Sequence, residues 1–227
     1  MALDVYVGSL TRYYTGDWEN VAERSARARA SAPQVGRQRD AESVRPAVLA
    51  WRDALAASLG SKVVTGFDWD ESAEAPHFTG RPGWDGFGSL VLWAAYAEHP
   101  ALRRPDSLPE EWDDDPALLR CNAQGSRYSH LVRNVELWLP CPFDFTFEGQ
   151  DVDGRRIVVG SALTLARQLA ELNGVTWKAG ESELVRWAPA APADDARLEL
   201  KARHAFAILN ELVQQAVAHR LPVKLDY

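Results

Sequence analysis

Sulfur is scarce in this chain: two cysteines, Cys121 and Cys141, and one methionine. A small secreted scaffold carries more cysteines than this, and a structural zinc site needs about four ligands at short spacings. Neither a CxxC pair nor a histidine at ligand spacing accompanies them. The expectation is therefore two free thiols in a reducing compartment, with no metal and no cofactor.

Other absences narrow the function. GxxxxGK[ST], GxGxxG at a strand–helix junction, GxSxG and HExxH do not occur, which removes the common phosphate loops, the hydrolase elbow and the zincin helix. The run Gly83-Trp84-Asp85-Gly86-Phe87-Gly88 is glycine-dense but has neither the lysine nor the preceding strand of a nucleotide loop. The longest apolar run, Leu90–Ala97, is far shorter than the roughly 20 residues a membrane span requires. Asp4 interrupts the opening residues and no basic stretch precedes an apolar one, so no secretion signal is expected. A cytoplasmic protein without membrane association is the expectation. Lysine is also scarce, 4 against 21 arginines, and alanine is abundant. That bias points to a GC-rich bacterial genome.

The net charge is −7, and it is uneven. Between Asp68 and Asp115 there are 12 acids and 3 basic residues, a net of −9, which leaves +2 for the remainder. An acidic chain is a poor general binder of nucleic acid, whose affinity comes from phosphate neutralisation. No helix-turn-helix with a basic second helix is visible either.

What the chain does have is 46% hydrophobic residues with nine Trp, seven Phe and six Tyr, enough for a core without staples. Its 227 residues are read as a single globular domain, 1–227. Leu3–Val7 alternates as a strand, Ser9–Gly16 reads as a loop, and Asp17 is placed to cap a helix to about Ala30. Residues 31–39 read as a polar connector. Val44, Val48, Trp51, Leu55 and Leu59 share one face of a helix begun by Asp40 and closed by Gly60. Lys62–Trp69 reads as a strand and Ser72–Asp85 as a loop. Gly86–His99 is apolar on every face, the mark of a central helix. An acidic connector then leads to a helix with Asp115 as cap and Pro116 in its first turn. Strands are expected at Val135–Leu139 and Phe143–Glu148, with a turn at Asp153-Gly154 and a return strand at Arg156–Val159. A helix capped by Ser161 runs to Asn173, followed by an irregular stretch over Trp177–Ala193. A long helix from Leu198 to His219 and a terminal strand at Val223–Leu225 complete the chain. Without a regular βαβ alternation, the pattern implies an α+β fold: five to six helices on a small, mostly antiparallel sheet.

Three groups of residues carry chemistry. Asp68, Asp70, Glu71 and Asp85, with His77, Trp69 and Trp84, gather carboxylates and an imidazole in one loop region, as acid–base catalysis or metal binding requires. Asp70, His77 and Asp85, with Arg12, are the candidate catalytic residues. Tyr13, Tyr14 and Trp18 follow the first strand, and aromatic and arginine side chains together are typical of binding hot spots. The run Glu110, Glu111, Trp112, Asp113, Asp114 and Asp115 sets an aromatic residue in the densest acidity of the chain. The resulting expectation is a protein-binding module of the immunity, antitoxin or regulatory type that meets a basic protein partner. The alternative is a hydrolase-like enzyme built on residues 68–85.

Overall fold

The computed structural model describes residues 3–20, 39–63, 65–189 and 191–227. Among the described residues six strands form one sheet: β1 (Asp4–Val7), β2 (Phe78–Gly80), β3 (Val135–Leu139), β4 (Phe147–Gln150), β5 (Arg156–Ser161) and β6 (Val223–Asp226). Their spatial order is β2-β1-β6-β3-β5-β4. Every neighbouring pair is antiparallel except β3 with β5. The fold is α+β as expected, with a larger sheet and a parallel pair that alternation alone does not announce.

Eight α-helices surround this sheet among the described residues: α1 (Leu10–Thr15), α2 (Ala41–Leu59), α3 (Gly83–Glu98), α4 (Pro116–Gln124), α5 (Ser129–Val132), α6 (Ala162–Val175), α7 (Glu181–Trp187) and α8 (Leu198–His219). Three start where the sequence marks a cap. Asp40, Asp115 and Ser161 accept hydrogen bonds from the backbone N–H groups of Glu42, Ala117 and Thr164, filling donors the first turn leaves open. The helices beyond five or six are short ones. In α1, Ser9 accepts from the Arg12 N–H, and Gly16 closes the helix at φ 73°. A helix of six residues leaves no periodic stripe, so a loop was the natural reading of residues 9–16. Asp17–Asn20 are not helical, and the rest of the helix expected to Ala30 lies outside the described residues.

One expected strand does not form, and a second, expected over Phe143–Glu148, begins only at Phe147. Over residues 62–69 the chain leaves a 3-10 turn (Gly60–Lys62) and passes close to the end of β3. Gly66 sits there at φ 98°, and a Cβ on it would lie 3.0 Å from the Cys141 Cα and the Pro140 carbonyl oxygen. Val63 and Trp69 are still buried, so the apolar pattern reports packing rather than pairing. Ahead of Phe147 two backbone acceptors are taken at the start of α6: its cap residue Ser161 donates through Oγ to the Cys141 carbonyl and Thr164 through Oγ1 to that of Phe143, both at 2.6 Å. Phe143, Phe145 and Phe147 pack on one another at tilted angles instead, with ring centroids 5.2–6.1 Å apart.

Two apolar clusters lie against the sheet. The larger joins α3, α6 and α8 with Leu3, Val5, Val7, Trp138, Val223 and Leu225. The smaller joins α1 and α2 with Leu137, Leu139, Ile157 and Val159. Every residue of α3 from Gly86 to Tyr96 is buried, and α3 packs along α8. Leu92 has no exposed surface. Leu92→Ala should therefore cost about 2–5 kcal/mol, the usual range for a buried leucine. Denaturant unfolding measures it, and an unchanged midpoint would take α3 out of the core.

Candidate functional site

The residues singled out in 68–85 are dispersed. Asp68 pairs with Arg220 at 2.6 Å. Asp70 accepts from the Ser72 N–H and hydroxyl in a local turn. Glu71 is 4% exposed, and its carboxylate accepts from the N–H groups of Leu10 and Thr11 and the Trp69 indole. It closes the first turn of α1. Arg12 and His77 do meet: the guanidinium donates to His77 Nδ1 at 2.8 Å and to the carbonyls of Ala73 and Ala75. Asp85 pairs with Lys201 at 2.8 Å. His77 and Asp85 line one broad cleft of about 1300 Å³ under α8, and Asp70 is not on it. Among the described residues, no three His, Cys, Asp or Glu side chains gather as a metal site would.

The acidic run divides into three roles. Asp115 is buried, accepting from the Ala117 N–H at 2.8 Å and the Tyr96 hydroxyl at 3.0 Å. The Trp112 indole lies against α3 where Gly88 makes room, since a Cβ there would stand 2.8 Å from the ring. Glu110, Glu111, Asp113 and Asp114 are exposed.

The obvious nucleophiles are unsuited to attack. Cys121 and Cys141 are free and buried in separate clusters. Burial pushes their thiols up to about 11 and about 12, away from the reactive thiolate. His130 has no exposed surface, and burial lowers it to about 4. Its Nδ1 accepts from the Ser161 N–H at 2.8 Å while the Ser161 hydroxyl points at the Cys141 carbonyl, so no serine–histidine pair forms. A thiol reagent should leave both cysteines unmodified in the native protein and titrate both after denaturation. Rapid native labelling of either would show that its cluster opens.

Across the sheet from α3 two neighbouring buried polar groups, Lys224 Nζ and the Tyr14 hydroxyl, make no hydrogen bond among the described residues. Side chains on β6 alternate between the two faces, so Val223 and Leu225 enter the large core and Lys224 must point the other way. There α1 lays Tyr13 and Tyr14 over it, and the β4–β5 hairpin brings Asp151. Together with Trp18 and Tyr227 these line a pocket of about 430 Å³. Trp18 stacks on Tyr13, centroids 5.6 Å apart at 19°, and its indole N–H donates to the Tyr13 carbonyl. The Tyr13 hydroxyl donates to Asp226 at 2.8 Å. Asp151 Oδ1 accepts from the N–H groups of Asp153 and Arg155, which shapes the turn, and its Oδ2 is left facing the pocket floor. At the rim, Arg39 pairs with Asp153, and Arg155 with Glu136.

Lys224 is the exceptional group. It is 2% exposed, yet its ammonium makes no hydrogen bond among the described residues. The nearest carboxylate oxygen, Asp151 Oδ2, is 3.8 Å away, and the Tyr13 ring centroid 5.2 Å. The Tyr14 hydroxyl is also buried without a partner. Burial lowers the Lys224 pKa, with Asp151 opposing it, and burial raises both tyrosines, which stay neutral donors. Tyr13, Tyr14 and Trp18 were visible in sequence as a group; Lys224, Asp151, Arg155 and Tyr227 were not. The available signal was a lysine inside Val223-Lys224-Leu225, where a buried central strand has no place for an unpaired charge.

Compared with known protein families, with curated proteins and with solved structures, the chain matches none.

An ammonium that burial disfavours costs the fold stability. The unfolded chain holds the proton more tightly, so stability rises with pH between the lowered pKa of Lys224 and the ordinary lysine value. Asp151 keeps its two backbone donors when the charge is removed. Lys224→Met removes that penalty but also takes the nearest ammonium from buried Asp151, so the variant should melt close to wild type at neutral pH, and should flatten that alkaline rise. Thermal unfolding as a function of pH measures both. A clear loss of stability at neutral pH would make Lys224 a structural residue.

Proposed function

We propose that the protein is a binding module that seats a small molecule over Lys224, without a catalytic step. The observation that carries this reading is the Lys224 ammonium, buried, without a hydrogen bond, and lining an aromatic pocket. Native proteins pair their buried polar groups, and one left unpaired is a donor kept for something else. The pocket volume falls in the range of about 300–1,000 Å³ that small-molecule sites occupy. The buried thiols, and a buried His130 that accepts from the Ser161 N–H and not from its hydroxyl, argue against covalent catalysis through these groups.

A thermal-shift screen of metabolite classes against wild type and Lys224→Met tests the reading. A ligand at a hundred times its Kd stabilises by about 2.7 kcal/mol, and the expected hit raises the melting temperature of wild type alone. Stabilisation of both proteins alike, or of neither by any class, would remove the pocket as the functional site.

A second reading, the docking of a basic protein by an immunity-type or regulatory protein of the bacterial cytoplasm, is favoured by one observation. Glu110, Glu111, Asp113 and Asp114 are exposed side by side and none is in an ion pair among the described residues. Asp68 and Asp85, by contrast, are paired. Such a surface steers a cationic partner. Replacing the four by Asn and Gln should slow association with a partner recovered by pull-down and flatten its salt dependence. Unchanged rates would leave the turn as a solvated connector.

A further inference from the structure

Resting on the reading of the Lys224 pocket as a ligand site, we infer that its ligand is a neutral polyhydroxylated molecule, a sugar, with one hydroxyl bridging Lys224 and Asp151. The gap between Lys224 Nζ and Asp151 Oδ2, 3.8 Å, is too long for a hydrogen bond between them. It suits a third atom that accepts from one and donates to the other. An oxygen about 2.8 Å from each completes a triangle with a right angle at that oxygen, and a hydroxyl has both the proton and the lone pairs to fill that place. A carboxylate has no proton to give Asp151, a phosphate that gives one of its own still sets negative charge against that carboxylate, and an ammonium has no lone pair for Lys224. Water can occupy the same point, and a ligand hydroxyl that reproduces its two bonds displaces it without loss.

The charges around the pocket agree. Asp151, Asp153, Asp226 and Glu136 stand against Lys224, Arg155 and Arg39, four carboxylates to three cations, so an incoming anion meets no surplus of positive charge. Two of the three cations are already held at the rim, Arg39 by Asp153 and Arg155 by Glu136. The buried Tyr14 hydroxyl offers a further donor for a second ligand oxygen. The lining is aromatic: Trp18 stacks on Tyr13, whose ring also carries the Lys224 ammonium, and Tyr227, 47% exposed, is the ring left for the C–H face of a sugar. Donors and acceptors in near balance, together with aromatic faces, fit a ligand whose every hydroxyl does both.

The test uses the full chain, a panel of neutral mono- and disaccharides, and benzoate and inorganic phosphate as anionic probes, read by titration calorimetry. At least one saccharide should bind wild type, and Lys224→Met should weaken it roughly tenfold to a hundredfold, the cost of a hydrogen bond to a charged donor. The deoxy analogue lacking the bridging hydroxyl should lose a similar factor on wild type and nothing further on the variant. Since Lys224→Met is expected to fold, an unchanged melting temperature certifies the comparison. If benzoate or phosphate binds more tightly than every saccharide and depends on Lys224, the pocket reading stands and the sugar inference falls. Should a saccharide bind wild type and Lys224→Met equally, the hydroxyl bridge is wrong. If no saccharide and no anion binds, the sugar inference fails, while the wider metabolite screen still decides the pocket.

Discussion

The insertion of β6 between β1 and β3 governs the rest of this molecule. That one strand bonds to the first strand of the chain on one side and to the middle of the chain on the other. It also divides the interior in two, because its alternation sends Val223 and Leu225 to the helices α3 and α8 and Lys224 to α1. The large apolar core and the polar pocket are therefore opposite faces of the same four residues. Neither face can be altered by shifting the strand without exchanging the contents of the other.

Around that division the polar groups sort by how completely they are satisfied. Glu71, 4% exposed, receives three donors and holds the start of α1. Asp115 and Ser161 do the same for α4 and α6. Lys224 has nothing comparable. A fully satisfied buried charge is architecture, whereas an unsatisfied one in a pocket is a site in waiting. By that criterion Glu71, conspicuous in sequence among the acids of residues 68–85, is structural, while Asp68, Asp70 and Asp85 are exposed and held by surface or local partners.

Much of the fold was legible because its larger elements announce themselves twice, by period and by cap. Asp40 with Val44 and Val48, Asp115 with Pro116, and Ser161 with Leu165 and Leu169 each gave both signals, and each helix starts at its marked residue. Elements shorter than two turns or four residues escaped: α1, α5, α7 and β2 are fixed by tertiary contact more than by pattern. The strand expected at 62–69, and the first part of the one expected at 143–148, show the converse. Apolar alternation there was real, but a strand also needs a partner edge, and the neighbouring backbone groups were claimed by α6 or excluded by the close approach at Gly66. Of the pocket, Tyr13, Tyr14 and Trp18 could be read from their proximity in sequence. Their companions lie more than a hundred residues away, and only the sheet order brings them together.

The same order has a consequence for how the chain comes together. β1 pairs with β2, some seventy residues on, well before it can meet β6 at the far end. Until residues 223–226 arrive, β1 presents an inner edge of open N–H and carbonyl groups beside the apolar side chains of Leu3, Val5 and Val7. Contacts at such separation form late and slowly, so the half-assembled sheet is the species most exposed to pairing with another chain. Lys224 has a part in ending that exposure correctly. A slip of one residue as β6 docks would drive its ammonium into the apolar core and turn Val223 and Leu225 into the cleft, a mistake too costly to persist. The lysine is thus a registration mark for the last strand as well as the floor of a pocket.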